Sequence, residues 1–146
     1  MIKVMFLCTA NSCRSQMAEG LARQLGSGLI EAGSAGVIAV AVQPRSIAVM
    51  QEIGIDISHH RPKAMDEKLM RTMDYVITLC DRGAAACPAL PGTVRRIHWS
   101  IKDPVGFIGS EDEIMNDFRR ARDEIRERME LLLRSLQRAH ARKEIP

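Results

Sequence analysis

The segment Lys3-Val4-Met5-Phe6-Leu7-Cys8 is apolar at every position from Val4 to Cys8 and stops at the polar cluster Thr9-Ala10-Asn11-Ser12. A strand of this kind points apolar side chains to both faces of its sheet, so both faces have to be covered. Helical spacing follows at once, because Met17, Ala18, Leu21, Ala22 and Leu25 recur every three or four residues and Gly26 with Gly28 supplies the stop. Leu29-Ile30-Glu31-Ala32 then reads as a second strand ending at Gly33-Ser34-Ala35-Gly36. A helix between two strands returns the chain to its starting end, which predicts parallel pairing.

The alternation continues. Pro44 suits the first turn of a helix whose stripe is Ile47, Met50 and Ile53 and whose stop is Gly54. Ile55 to Lys63 reads as loop, Met65 to Met73 as a short helix, and Asp74 to Cys80 as a third strand rich in β-branched residues. Gly83, Pro88, Pro91 and Gly92 predict a loop before a fourth strand over Thr93 to Trp99. Ser110-Glu111-Asp112-Glu113 matches a capping box, and Ile114, Phe118, Ala121, Ile125, Met129, Leu132 and Leu136 continue it as a long amphipathic helix. On its outer face, Glu124 with Arg128 and Glu130 with Arg134 are four apart and predict a solvated, ion-paired surface. The class is α/β, an open parallel sheet with helices on both faces, in one domain over residues 1–146 with a frayed tail from about 138.

Composition narrows the function. Aromatic residues are 3% of the chain, too few for a base-stacking platform, and a net charge of +3 is weak support for a polyanion partner, so no nucleic acid is expected. No apolar run reaches the roughly 18 residues of a membrane span, and none resembles a secretory signal, so a cytoplasmic protein without a membrane partner is expected. Cys8, Cys13, Cys80 and Cys87 are then more informative as reactive groups than as structural bridges. Cys80 and Cys87 lie too far apart in sequence for a zinc knuckle and no second pair follows, so no metal is expected. His59, His60 and His98 have no carboxylate or ligand spacing beside them and read as packed or solvated.

Cys8 and Arg14 form a Cys-x5-Arg segment between a strand and a helix. Such a loop curls the backbone N–H groups of Thr9, Ala10, Asn11, Ser12 and Cys13 around an oxyanion, and Arg14 closes over it with a bidentate fork. The same field favours the thiolate of Cys8, with Ser15 as a hydroxyl donor to the sulfur. Cys13, in the first turn of the helix, is expected to be packed. In a parallel sheet ligands bind beyond the carboxyl ends of the strands, where Cys8 and Cys80 both fall.

At Cys8 to Gly20, Gly54 to Ser58, Val76 to Cys80 with Cys87, and His98-Trp99 with Asp103-Pro104 the chain resembles the low-molecular-weight protein tyrosine phosphatase fold, and within it the thioredoxin-coupled arsenate reductases. The resemblance runs nearly end to end. It implies a four-stranded sheet in the order 2-1-3-4, with Cys8 as nucleophile, Arg14 as clamp and Asp103 as general acid. It further implies arsenate reduction through a Cys8–Cys80 disulfide, then a Cys80–Cys87 disulfide reduced by thioredoxin, with glutaredoxin as the alternative donor and no bound cofactor. Weak phosphatase activity on phosphate-like oxyanion esters would accompany it. The alternatives are a phosphatase whose extra cysteines protect the nucleophile, and a non-catalytic oxyanion-binding redox sensor. Val105 and Gly106 stand where phosphatases of this fold carry aromatics. In some reductases potassium is held by Asn, Glu, Ser and Asp; Asn11, Glu19 and Ser34 correspond, but Lys63 stands at the Asp position, so potassium independence is expected. Ser100-Ile101-Lys102 replaces the commoner Gly-Phe-Asp before Asp103.

Overall fold

The computed structural model describes residues 1–144. Its elements are β1 Ile2–Cys8, α1 Arg14–Leu25, β2 Ile30–Gly36, α2 Pro44–Gln51, α3 Glu67–Met70, β3 Tyr75–Thr78, α4 Asp81–Ala86, β4 Arg95–His98 and α5 Glu111–Glu144. The four strands form one sheet in the order β2-β1-β3-β4, and every pair is parallel. β1 is interior, which is why its sequence is apolar on consecutive positions. Val4, Phe6 and Cys8 face a core with Met17, Leu21, Met50, Phe118, Ile125 and Met129. Met5 and Leu7 face the opposite core, with Met70, Val76, Cys87 and Val94. β4 lies at the edge and carries exposed Arg95 and Arg96, charges that discourage pairing with another chain.

Several boundaries differ from the expected ones. β2 runs through the Gly33-Ser34-Ala35-Gly36 segment read as its end, pairing as far as Cys8 with Gly36. Small residues there permit close approach of neighbouring backbone rather than a turn. α3 is shorter than Met65 to Met73, beginning where Asp66 accepts from the amides of Lys68 and Leu69. The predicted loop after Cys80 opens with α4, because the Cys80 sulfur accepts from the Gly83 amide at 3.2 Å and caps a run of alanines. α5 begins with the expected reciprocal Ser110 and Glu113 bonds and continues through Glu144, so positions 138–144 are helix rather than tail; positions 145 and 146 lie outside the described residues.

The ion pairs on α5 also take other partners. Arg120 pairs with Glu124 and Arg126 with Glu130, while Arg119 and Arg122 both reach Glu52 at the end of α2. Arg122 is buried and donates to the Val49 carbonyl at 2.8 Å, so it caps α2 instead of facing solvent. No helix among the described residues is long and apolar enough to cross a membrane.

Candidate active site

Cys8 is the last residue of β1 and α1 begins at Arg14, so residues 9–13 must turn the chain from sheet to helix. Their carbonyls are tied outward. Ile38 donates to the Thr9 carbonyl, Val40 to that of Ala10 and Gln43 to that of Ser12, at 3.1, 2.9 and 2.8 Å. The N–H groups of the same curl can therefore converge on an anion at the start of α1, where no side chain caps the helix. Asn11 takes φ +51, the left-handed conformation that Asn tolerates better than most residues.

Gly36 makes this curl possible from beneath. A Cβ at that position would lie 2.5 Å from the Asn11 nitrogen and 2.6 Å from the Ile38 carbonyl oxygen. Both are backbone atoms, so the loop itself would have to move. Gly36→Ala is expected to destabilise the fold by ~1–3 kcal/mol and to weaken inorganic phosphate binding roughly tenfold or more, read by thermal melting and titration calorimetry.

Cys8 is 3% exposed, and its sulfur lies 2.8 Å from Ser15 Oγ. Asn11 Nδ2 donates to the same oxygen at 2.9 Å, leaving the Ser15 hydrogen for the sulfur. Arg14 donates to the Ile101 carbonyl at 2.9 Å and meets Asp103 at 3.3 Å. Asp103, half-exposed, also accepts from the Val105 amide. Arg14, Cys80, Asp81, Ile101, Lys102 and Asp103 line one shallow cleft. Cys8, Arg14, Ser15, Cys80 and Asp103 therefore gather at the carboxyl ends of β1 and β3.

The cysteines fall into different environments, and all four are free thiols. Cys13 is packed as expected, and burial pushes its thiol up to about 12. Cys80 Sγ lies 3.3 Å from Thr9 Oγ1, against the loop. Cys87 sits in the core on the opposite face of the sheet from Cys8 and Cys80, where burial raises its pKa and Arg96 partly opposes this. The sequence places Cys87 near Cys80; the fold separates them by α4.

Two histidines have the carboxylate partners that their sequence neighbourhood does not show. His60 Nδ1 is 3.3 Å from Glu19 Oε2 and 3.0 Å from Gln16 Oε1. His98 Nε2 is 3.3 Å from Asp81 Oδ1. The partners come from other elements, beyond the reach of spacing arguments. Burial lowers the His60 pKa, with Glu19 acting against it. Gln16, fully buried, is a site residue that the motif did not single out.

The positions corresponding to a potassium site are already engaged with one another. Ser34 donates to Glu19 Oε1 at 2.9 Å, and the Lys63 ammonium is 3.8 Å from the same oxygen. Asn11 Oδ1 accepts from the Lys63 amide at 2.7 Å and from Gln16 Nε2.

The low molecular weight phosphotyrosine protein phosphatase family matches residues 3–142. An arsenate reductase of Halalkalibacterium halodurans is 44% identical over 126 residues, 86% of this chain and 91% of its own. Among solved structures, an arsenate reductase in the phosphate binding state superposes with TM-score 0.75 at 37% identity, covering 93% of this chain and 99% of that one. The thioredoxin-dependent arsenate reductase of Corynebacterium glutamicum superposes with TM-score 0.75 at 28% identity, covering 95% of this chain and 63% of that one.

Proposed function

The chain belongs to the low molecular weight phosphotyrosine protein phosphatase family, and from that premise we propose that it reduces arsenate to arsenite, with Cys8 as nucleophile and Cys80 and Cys87 as the source of electrons. The observation that carries the reading is a second thiol at the loop, Cys80 Sγ at 3.3 Å from Thr9 Oγ1. A phosphatase needs one thiol, because water resolves its phosphocysteine. Converting As(V) to As(III) takes two electrons, which two thiols supply when they join in a disulfide, so a second sulfur is required.

Cys8 thiolate attacks arsenic; an S–As bond forms, one As–O bond breaks, and the oxygen leaves as water with a proton from Asp103. Arg14 and the loop amides hold the remaining oxygens. Cys80 thiolate then attacks Cys8 Sγ; the S–S bond forms, the S–As bond breaks, and its electron pair stays on arsenic, which departs as arsenite. Cys87 thiolate attacks Cys80 and releases Cys8. Reduced thioredoxin, with glutaredoxin as the alternative dithiol donor, returns two electrons and two protons to the Cys80–Cys87 disulfide.

The third exchange needs α4 to unwind. Seven residues of helix separate two positions by about 10 Å, whereas a disulfide needs Cα atoms about 4.4–6.8 Å apart. Gly83 is the only residue within α4 that is buried, so little apolar area opposes the opening. The same opening would expose Cys87, whose burial disfavours the thiolate.

Lys63 replaces potassium in this reading. Exchanging potassium for sodium at fixed ionic strength is expected to leave KM for arsenate unchanged, and a clear potassium-dependent fall in KM would remove Lys63 from that role. The decisive assay for the function is arsenate-dependent NADPH oxidation with thioredoxin and thioredoxin reductase, with p-nitrophenyl phosphate hydrolysis followed in parallel. Turnover on arsenate well above ester hydrolysis is expected. Silence on arsenate with both thioredoxin and glutaredoxin, beside brisk ester hydrolysis, would make the site a phosphatase.

A further inference from the structure

We propose that Arg120 is a positioning residue for the acid Asp103, holding the segment that carries it through the Lys102 carbonyl. The proposal rests on the reading of Asp103 as general acid, which the reductase and phosphatase mechanisms share. The chain leaves the sheet at His98, and residues 99–110 form neither helix nor strand. Trp99 and Ile101 are buried and still donate to the Thr78 and Leu79 carbonyls. Beyond Ile101 the hydrogen bonds among residues 102–109 are local: the Val105 amide donates to the Asp103 carboxylate and the Phe107 amide to the Pro104 carbonyl. An acid on such a segment is placed only as well as its neighbours hold it.

Among the described residues, two side chains hold positions 101–103, and both are arginines. Arg14 donates to the Ile101 carbonyl at 2.9 Å and meets Asp103 at 3.3 Å. Arg120 donates from Nη2 to the Lys102 carbonyl, also at 2.9 Å. The two differ in what else they must do. Arg14 shares its fork between the acid segment and the oxyanion, whereas Arg120 does not line the cleft and has no substrate to hold. Its remaining nitrogens are fixed within α5, Nε by Asp117 Oδ1 at 2.9 Å and Nη1 by Glu124 Oε2 at 3.2 Å. A planar guanidinium held at two nitrogens has a set direction for the third, so the helix aims Nη2 at the Lys102 carbonyl. Phe118, Ala121 and Ile125 of α5 share a core with Met17 and Leu21 of α1, the helix that opens with Arg14. The acid is thereby tied to the same packed unit as the anion loop. Partly exposed ion pairs on a helix contribute little to stability, so a purely structural Arg120 would be nearly silent.

The test is a double-mutant cycle of Arg120→Met with Asp103→Asn, read as kcat/KM for arsenate in the thioredoxin-coupled assay, beside the Kd of inorganic phosphate by titration calorimetry. Asp103→Asn is expected to lower kcat/KM about a hundredfold and Arg120→Met about tenfold, the latter with phosphate Kd changed by less than about twofold. On the Asp103→Asn background, Arg120→Met is expected to cost less than about twofold more, because no acid is left to position. A loss that persists in full on that background, a matching loss of phosphate affinity, or an Arg120→Met protein as fast as wild type each overturns the inference. Wild-type kcat/KM in Asp103→Asn would instead remove Asp103 from the acid role. Should Arg120→Met fail to fold by circular dichroism, Asp117→Leu, which frees the guanidinium at Nε, takes its place in the cycle with an expected loss of about threefold. If arsenate is not turned over, the same cycle is run on phenyl phosphate, whose leaving group needs the same proton, and is read by the same outcomes.

Discussion

Cys80→Ser is expected to abolish arsenite formation, by at least about a thousandfold, in single as well as multiple turnover. A serine oxygen cannot form the disulfide that carries two electrons to arsenic, so the reaction stops at the Cys8–arsenate adduct. Phosphate binding should persist, because the loop, Arg14 and Asp103 are untouched. Cys87→Ser should behave differently: about one equivalent of arsenite per chain, trapped as the Cys8–Cys80 disulfide, and then no further turnover. Rapid quench with arsenite quantification and mass spectrometry of the trapped disulfide distinguish the two variants. Arsenite turnover at wild-type rate in Cys80→Ser would end the relay as proposed, since Cys87 lies across the sheet from Cys8.

The second large effect is expected at Arg14. Arg14→Lys keeps the charge but removes the planar fork, and should lower kcat/KM for arsenate by ~10²–10³. The reason lies in how the guanidinium is held: one nitrogen donates to the Ile101 carbonyl at 2.9 Å while another meets Asp103 at 3.3 Å. A lysine ammonium cannot hold both the acid-loop contacts and two oxygens of the substrate. Steady-state kinetics on arsenate, with phosphate as competing ligand, read the loss; a change of less than about threefold would show that charge alone is enough there.

The features of the site that were legible in the sequence are those built from neighbours in the chain. Cys8, Ser15 and Arg14 lie within one strand, loop and helix, so local geometry already brings the Ser15 hydroxyl to the sulfur, at 2.8 Å. The capping box at Ser110 was legible for the same reason. Gln16 was not, because its role depends on His60, 44 residues away, and on Arg61 and Asn11 at once. Glycines read as stops in β2 instead make room for the loop, a role that depends on what lies against Gly36. Nothing in the sequence around Arg122 shows that it caps α2, because the Val49 carbonyl it reaches lies 73 residues away.

By itself the sequence determined the four strands and the helices α1, α2, α3 and α5 in their order along the chain, the parallel sheet and the strand-to-helix loop carrying Cys8 and Arg14, since apolar periodicity and turn residues act over a few positions. Tertiary structure decided where the other sulfurs stand. Cys80 and Cys87 are close in sequence, yet one lies against the loop through Thr9 and the other packs with Met5 and Leu7 on the far face. A strand alternates its faces and a short helix offsets its ends, so proximity along the chain does not carry over to proximity across a sheet. The same holds for Glu19, His60 and Lys63, whose charges come together only because β2 and the 55–63 segment close around α1.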